Sequence, residues 1–222
     1  QENLINSLVS PLKLNNESVM LDAGCGVGIT AQMIAKKYNC YVEGITISEI
    51  QYQKANMLIN NQDCSSFVKI HCQDMHSMNF PNDWFSVAIA LESLLHTNRY
   101  KALHEIHRVL RNGSMLSLCD WYTKVPLENE EIDIINNTLF ASYISLPEYL
   151  MLLGQCGYIN IQMVDWSNAI KPTYTHWNNL SNMNKKNVNK KFINQFRKIS
   201  ETLTSIALNK LGYVNIIAQV SK

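Results

Sequence analysis

The sequence lacks the features that mark several large classes of protein. No apolar run in its 222 residues is long enough to span a bilayer, and no signal-peptide pattern opens the chain. The net charge is only +1, and no basic patch rich in aromatic residues is present. Internal repeats and low-complexity tracts are also missing. We therefore expect a globular, cytoplasmic protein that has neither a membrane nor a nucleic acid as a partner.

Cysteine and histidine are present, but not in the spacings that metal sites or disulfide frameworks use. The six cysteines include no C-x-x-C pair, so we predict buried free thiols in a reducing compartment. The run His104-Glu-Ile-His107 does not match the zinc motif H-E-x-x-H, because Arg108 stands where the second histidine is required. We predict that both histidines are surface residues and that the protein binds no metal.

Short apolar segments alternate with helical periodicity along a chain that is long enough for one domain with a proper core. Continuous apolar runs such as Phe85–Leu91 are typical of strands that are buried on both faces. The pattern predicts an α/β fold with a Rossmann-like, doubly wound sheet of seven strands, mostly parallel, with an antiparallel last strand. The predicted strands are Ser18–Ala23, Cys40–Ile45, Phe67–His71, Phe85–Leu91, Met115–Cys119, Ile159–Val164 and Val214–Val220.

Two segments, at about 121–146 and 167–210, interrupt this alternation late in the chain. Insertions at the carboxyl edge of such a sheet are where lids are built. We therefore predict a single domain over 1–222, with these insertions as a lid. The basic run 184–191 is interpreted as a solvated surface. Helices are predicted at Glu2–Val9, Ile29–Lys37, Glu49–Asn60, Asn98–Leu110 and Pro147–Cys156, with Asn112-Gly113 as the stop signal after the fourth.

The most informative stretch is Leu21-Asp-Ala-Gly-Cys-Gly-Val-Gly28, at the end of the first predicted strand. Glycines at alternate positions allow positive φ angles and leave a backbone ridge that a ligand can approach closely. Ligands of open α/β sheets bind outside the carboxyl ends of the strands. The spacing differs from the G-x-G-x-x-G of dinucleotide-binding loops, and Asp22 would repel a phosphate but attract an ammonium group. A ligand with a positively charged end is therefore favoured over a dinucleotide.

The run LDAGCGVG resembles the first motif of the class I S-adenosylmethionine (SAM) dependent methyltransferases. This resemblance extends from Val19 to Val220 and implies SAM as cofactor and S-adenosylhomocysteine as product. A second run, Glu43-Gly-Ile-Thr-Ile-Ser48 followed by Gln51, resembles a small-molecule subgroup of the family. The subgroup includes the rebeccamycin sugar O-methyltransferase, tocopherol C-methyltransferase and mycolic-acid cyclopropane synthase families, which act on natural products.

The resemblance implies a set of cofactor-binding residues at the ends of the first four strands. Gln51 would reach the ribose hydroxyls, Asp74 would bind the adenine amino group, and Met75 would lie against the ring. The structural alternatives are an ordinary helix cap for the Thr46–Gln51 segment and an Asp-led turn at Asp74. The complete set is Asp22, Gly24, Cys25, Gly26, Gly28, Thr46, Ile47, Gln51, Asp74, Met75, Leu91 and Glu92.

The run Leu91-Glu-Ser-Leu-Leu-His96 resembles the segment that opens the methyl-transfer site in this subgroup. The rebeccamycin enzyme has two adjacent histidines there, whereas this chain has Leu95 and then His96. The resemblance also implies an acidic residue, Asp120, at the end of the fifth strand. We predict His96 as the general base and Asp120 as the group that orients it. A structural hydrogen-bonding role is the alternative for His96.

Methyl transfer from a sulfonium needs mainly alignment and desolvation. A hydroxyl acceptor must also lose a proton, and an imidazole with a pKa of about 6.5 beside a carboxylate suits that task. A carbon acceptor would pass through a cation, which Trp121, Tyr122 or Trp166 would stabilise with a π-face. We predict a methyltransferase that acts on a hydroxyl oxygen of a small natural product. A C- or N-methyltransferase and a catalytically silent SAM-binding protein remain the alternatives.

Related enzymes usually have a further amino-terminal helical segment that closes over SAM, whereas this chain begins at Gln1 without a methionine. Either the late insertions complete the lid, or part of the protein precedes residue 1. For the assembly we expect a monomer or a homodimer.

Overall fold

The structure, a computed structural model, describes residues 2–60, 66–173 and 190–222. A seven-stranded sheet has the order β3-β2-β1-β4-β5-β7-β6, so the winding reverses direction between β1 and β4. The strands are β1 (Val19–Ala23), β2 (Tyr41–Thr46), β3 (Val68–Cys72), β4 (Phe85–Leu91), β5 (Leu110–Thr123), β6 (Tyr158–Asp165) and β7 (Leu211–Val220). The described helices are α1 (Glu2–Val9), α2 (Ile29–Tyr38), α3 (Glu49–Asn60), α4 (Arg99–Val109), α5 (Asn129–Leu139), α6 (Leu146–Gln155), α7 at 167–173 and α8 (Lys190–Lys210).

Five neighbouring strands, from β3 to β5 in the sheet order, pair in parallel. β1 lies between β2 and β4, with Asp22 opposite Gly44 on one side and opposite Ile89 on the other. The middle of β4 is buried, as its continuous apolar sequence predicts. Because these strands are parallel, their carboxyl ends and the loops that follow them lie along one edge of the sheet.

The last two strands in the sheet order run antiparallel to their neighbours. Between β6 and β7, Trp166 N–H donates to Tyr213 O at 2.8 Å and Ser221 N–H donates to Gly157 O at 3.0 Å. The residue numbers therefore rise along one strand as they fall along the other. At the ends of β5 and β7, Lys124 N–H donates to Lys210 O at 2.8 Å and Lys222 N–H donates to Oδ1 of Asn112 at 3.0 Å, so these two strands also run in opposite directions. The predicted α/β fold, with a mostly parallel sheet and an antiparallel last strand, is confirmed.

The boundary between α4 and β5 differs from the sequence prediction. Asn112-Gly113 is predicted to stop a helix, but α4 ends at Val109 and β5 already begins at the next residue. Gly113 has a φ of +78° and lies inside β5, where the pairing with β4 shifts between Phe85 and Val87. The glycine thus allows an irregularity within the strand and does not end a helix.

The chain divides into two compact units. The first comprises Gln1–Asp120, Pro147–Met163 and Asn215–Lys222, and the second comprises Trp121–Leu146 and Val164–Val214. The first unit contains the parallel strands β1 to β4 and the helices between them. Within it, α1 is fastened to β5 by a hydrogen bond of 2.7 Å from a serine hydroxyl of that strand to a carbonyl of the helix.

The second unit contains α5, α7 and α8. Within it, Lys210 at the end of α8 forms an ion pair of 2.8 Å with Glu131 of α5. The predicted insertions at 121–146 and 167–210 fall in this unit, although 174–189 lie outside the described residues. The predicted solvated run 184–191 lies almost entirely in that undescribed part.

The described cysteines are free thiols, and Cys64 lies outside the described residues. Cys40, Cys119 and Cys156 are buried as predicted, but Cys72 is exposed because it ends β3 at the sheet edge. Among the helices that the structure describes, none is long and apolar enough to cross a membrane.

Candidate active site

The loop after β1 follows the backbone path that its glycines predict. Gly24, Gly26 and Gly28 have φ angles of +87°, +57° and +75°, which side-chain-bearing residues rarely adopt. A Cβ on Gly24 would lie 2.4 Å from the Cβ of Ser93, so the loop after β4 already occupies that space. The N–H groups of Gly24 and Cys25 both donate to a carbonyl at the end of β2, at 3.1 and 2.8 Å. The glycine loop is therefore held against two neighbouring strand ends.

Asp22 is buried at the end of β1, immediately before this loop. Only 2% of its surface is exposed, and its Oδ2 has no hydrogen-bond partner among the described residues. Burial raises the pKa of Asp22 from its ordinary value of 3.8 to about 7. A buried carboxylate oxygen without a donor costs free energy unless a ligand supplies that donor. An ammonium group bound at the glycine loop would provide it.

The residues after β2 form a compact polar turn. The buried Thr46 donates its hydroxyl to Oε1 of Gln51 at 2.7 Å and accepts from Ser48 N–H at 3.2 Å. Ser48 Oγ accepts from Gln51 N–H at 3.3 Å, which is the helix-capping contact that the sequence predicts. Ile47 is 75% exposed, which leaves an apolar surface beside the Thr46–Gln51 pair. The turn thus offers polar and apolar contacts side by side.

The turn after β3 places Asp74 and Met75 close to the other loops. Oδ1 of Asp74 accepts from the backbone N–H of His76 at 2.9 Å and lies 2.9 Å from its Nδ1. The terminal methyl group of Met75 lies 3.4 Å from the position that a Cβ on Gly24 would take. Gln73, which precedes Asp74, donates its N–H to the carbonyl of Thr46 at 3.0 Å. The predicted cofactor residues of three loops are therefore neighbours.

The loop after β4 is fastened to the strands on both sides. Glu92 has a φ of +51° and donates its N–H to a carbonyl of β5 at 2.8 Å. Ser93 donates its hydroxyl to Ala23 O of β1 at 2.6 Å. A 3₁₀ turn follows, in which Leu95 is buried and His96 is exposed. Leu95 thus serves as a core residue, whereas the next side chain faces solvent.

Asp120, the predicted orienting group, is only 1% exposed. The hydroxyl of Tyr149 donates to its Oδ2 at 2.9 Å, and Nε of Arg99 lies 3.9 Å from the same oxygen. The guanidinium of Arg99 lies over the ring of Tyr149 at 5.5 Å. Burial raises the pKa of Tyr149 well above its ordinary value, so the phenol remains a neutral hydrogen-bond donor. Three polar groups thereby form one buried cluster, which we call the Asp120 cluster.

Sequence reasoning missed Arg99 and Tyr149, although a signal for Arg99 exists. Arg99 shares the buried stripe of α4 with Ala102, Leu103 and Ile106, at helical spacings of three and four. A charged residue on such a stripe is rarely buried without an ionic partner. That rule predicts a buried acidic residue nearby, but the sequence does not tell which one.

The described residues contain no group of three or more potential metal ligands. His104 is exposed, as predicted, but His107 is half-buried, with its ring 5.4 Å from that of Tyr158 and its Nε2 3.1 Å from Ser221 O. The prediction of two surface histidines is therefore wrong for His107, because β6 and the carboxyl terminus cover it. Glu105 between them forms an ion pair of 2.7 Å with Arg108.

Comparisons with known proteins identify a family and relatives that this chain resembles. A family described as a methyltransferase domain matches residues 21–118, which include the glycine loop and the loops after β2, β3 and β4. The (+)-O-methylkolavelool synthase of Herpetosiphon aurantiacus is 29% identical over 79% of this chain and 63% of its own length. The 27-O-demethylrifamycin SV methyltransferase of Amycolatopsis mediterranei is 31% identical over 78% of this chain and 65% of its own length. The chain thus spans less than two thirds of the length of each of these two relatives.

Relatives that are named for other acceptor atoms also match. They include ajmaline N-methyltransferase of Rauvolfia serpentina, at 28% identity, and a sterol 24-C-methyltransferase of Neurospora crassa, at 22%. A structure described as a putative sarcosine dimethylglycine methyltransferase from Galdieria sulphuraria covers 99% of this chain and 85% of its own, with a TM-score of 0.88 and 15% identity. The [4+2]-cyclase SpnF covers 99% of this chain and 81% of its own, with a TM-score of 0.85 and 20% identity. At these identities the structural likeness establishes the fold alone.

Proposed function

Because this chain belongs to the class I SAM-dependent methyltransferases, we propose that it transfers the methyl group of SAM to a hydroxyl oxygen of a small natural product. The observation that most directly supports SAM as the cofactor is the buried Oδ2 of Asp22, which has no donor among the described residues. The ammonium group of SAM would donate to it. A dinucleotide phosphate in the same place would instead be repelled.

The residues around the glycine loop fit SAM. Gly24, Cys25, Gly26 and Gly28 would give the methionine part of SAM a close backbone approach. Past that loop, Thr46 and Ile47 would lie along the adenosine, and Gln51, whose side-chain amide retains its N–H donors, would reach the ribose. Asp74 has one oxygen engaged with His76, which leaves the other for the adenine amino group. Met75, Leu91 and Glu92 complete the proposed set, and no metal is required.

On the acceptor side we assign proton transfer to His96. Bound SAM supplies an electrophilic methyl group on a sulfonium. The imidazole of His96, exposed after β4, would take the proton of the acceptor hydroxyl at a ring nitrogen. Asp120 would orient that imidazole, while Tyr149 and Arg99 hold the carboxylate itself in place. As part of the same proposal, the chain is one domain whose insertions at 121–146 and 167–210 form the lid on the acceptor side.

Two other functions stay in the proposal as alternatives. The names of the relatives include N- and C-methyltransferases, so the acceptor atom could be nitrogen or carbon. SpnF shares this fold and is named as a cyclase, so the fold by itself does not require methyl transfer. If the chain is a catalytically silent SAM-binding protein, cofactor binding should survive the loss of His96 and Asp120, and no acceptor should be methylated.

A methyl-transfer assay separates these functions. The protein is incubated with SAM that is labelled in the transferred methyl group. The acceptors are terpenoid and polyketide scaffolds in matched forms that carry a hydroxyl group, an amine or a nucleophilic carbon. We expect labelled methyl ether from hydroxylated acceptors, and a rate at least about 100-fold lower for His96→Ala. Label that appears only on nitrogen or only on carbon would show that the protein is an N- or a C-methyltransferase instead. SAM binding without any product would favour the silent protein.

A further inference from the structure

A chain of three polar side chains connects the turn after β3 to the loop after β4. Nδ1 of His76 lies 2.9 Å from Oδ1 of Asp74. On the opposite side of the ring, Nε2 of His76 is in hydrogen-bond contact with Oγ1 of Thr97. The contact with Asp74 is local in the chain, but Thr97 is separated from His76 by 21 positions. His76 therefore links two loops that the sequence keeps apart.

The chemistry of the partners determines how the imidazole is protonated when it is neutral. An ionised carboxylate only accepts hydrogen bonds, so Nδ1 of His76 must carry the proton that Asp74 receives. Nε2 is then an acceptor, and the hydroxyl of Thr97 donates to it. Each side chain thus fixes the orientation of the next, from Asp74 through His76 to Thr97.

Thr97 directly follows His96, and the loop that contains both is anchored at its other end by Ser93. The hydroxyl of Ser93 donates to Ala23 O at 2.6 Å, beside the glycine loop. Between the anchors, the N–H groups of His96 and Thr97 close the 3₁₀ turn with bonds of 3.3 Å. His96 therefore lies between one anchor at the end of β1 and another on the turn that contains Asp74.

We propose that His76 is a positioning residue, which holds the loop of His96 through Thr97 and couples that loop to the adenine side of the cofactor site. The inference rests on the proposed function, because that function gives His96 its role as base and Asp74 its contact with adenine. His76 acts through Thr97 and not on the reacting atoms. Ordering of Asp74 by the cofactor is then transmitted to the base.

Amide hydrogen exchange in the protein without ligand is the first test. Thr97→Val removes the hydroxyl at nearly constant shape, and Thr97→Ser is the matched control that retains it. We expect the amides of His96 and Thr97 to exchange about tenfold faster in Thr97→Val and in His76→Phe than in the wild type and Thr97→Ser. Amides of β1 and β4 serve as the internal reference for global stability. Equal exchange in Thr97→Val and the wild type would overturn the proposal.

NMR of the histidine nitrogen atoms gives a second readout. A His76 side chain that only fills space would not change these signals when Thr97 is replaced. At pH 8, wild-type His76 should be the tautomer with its proton on Nδ1, and the Nε2 signal should shift in Thr97→Val but not in Thr97→Ser. A proton on Nε2 in the wild type would contradict the hydrogen-bond chain. The tautomer and the exchange rates need no ligand, so they decide the role of His76 whether or not SAM binds.

S-adenosylhomocysteine then tests the coupling. At saturation it should slow the exchange of the His96 loop in the wild type and in Thr97→Ser, and have much less effect in Thr97→Val. Its dissociation constant should change by less than about threefold between these proteins, because Thr97 is not a cofactor residue. Equal slowing in all three would overturn the coupling alone. Failure of the wild type to bind the ligand would overturn the proposed function instead.

Discussion

The cofactor side and the acceptor side of the candidate site are built in different ways. On the cofactor side, the glycine loop, the Thr46–Gln51 turn and the Asp74 turn are shaped by backbone angles and by hydrogen bonds within a few residues. On the acceptor side, Asp120 at the end of β5 depends on Arg99 of α4 and Tyr149 of α6. The cofactor side relies on backbone conformation and on backbone hydrogen bonds between neighbouring strand ends, whereas the acceptor side relies on side-chain contacts between distant elements.

This difference predicts which property each side controls. Asp22 is left with an oxygen that has no donor among the described residues, so the cofactor side gives up stability that a ligand can restore. The Asp120 cluster pairs its charges within the protein, so removal of one member takes a buried partner away from the others. Changes on the acceptor side should therefore affect folding most, and changes on the cofactor side should affect ligand affinity most.

Asp120→Ala is expected to have the largest effect on stability. It leaves the guanidinium of Arg99 and the hydroxyl of Tyr149 buried without their carboxylate, at a cost of about 3–5 kcal/mol. Asp120→Asn, which retains an acceptor oxygen for Tyr149, should cost less. Urea denaturation at pH 7 measures both variants. A loss below about 1 kcal/mol for Asp120→Ala would show that the cluster does not stabilise the fold.

In contrast to Asp120→Ala, Asp22→Asn should stabilise the fold of the protein without ligand. The pKa of Asp22 is raised from 3.8 to about 7, so ionisation costs nothing below pH 4 and destabilises the fold increasingly up to pH 7. Relative to the wild type, Asp22→Asn should gain about 2–4 kcal/mol between pH 4 and pH 8. Thermal denaturation across this range provides the measurement. A pH-independent difference would contradict the buried, uncompensated carboxylate.

Gly24→Ala and Gly26→Ala form a matched pair within the glycine loop. Both residues have positive φ, but a Cβ at Gly24 would collide with Ser93, whereas one at Gly26 has no neighbour within 4 Å. We expect a loss of about 2–3 kcal/mol for Gly24→Ala and about 1 kcal/mol for Gly26→Ala. Denaturant titration of the two variants in parallel would detect the difference. Equal losses would mean that backbone strain, and not the close approach to the β4 loop, is decisive.

His96→Ala should have the smallest effect on folding. Its side chain is exposed, so stability should change by about 0.5 kcal/mol or less, and affinity for S-adenosylhomocysteine by less than about threefold. Turnover is the property that should fall. Loss of cofactor affinity would place His96 in the cofactor site and remove it from the acceptor side.

The features that the sequence predicts correctly are the local ones. Strand β4 is placed at Phe85–Leu91 in both descriptions, because a continuous apolar run has few alternatives to a buried central strand. The positive φ angles at the glycine loop follow from residue type. Ser48 caps its helix as its position before Glu49 indicates.

The features that the sequence misses depend on distant partners. Gly113 carries the same local signal as a helix-ending glycine, and only the pairing of β5 with β4 assigns it to the strand. His107 lies on a helix face that looks exposed until β6 and the carboxyl terminus are placed beside it. The pairing of Arg99 with Asp120 likewise joins two elements whose contact no periodicity reveals.

The most direct test of the account is calorimetric titration of the wild type and of Asp22→Asn with SAM and with S-adenosylhomocysteine at pH 7.5. We expect both compounds to bind the wild type, with the product at least as tight as SAM. We expect Asp22→Asn to weaken the binding of both by about 10- to 100-fold, through loss of a charge-assisted hydrogen bond. No binding to the wild type, or equal affinity in the two proteins, would contradict the assignment of Asp22 and of the glycine loop to SAM.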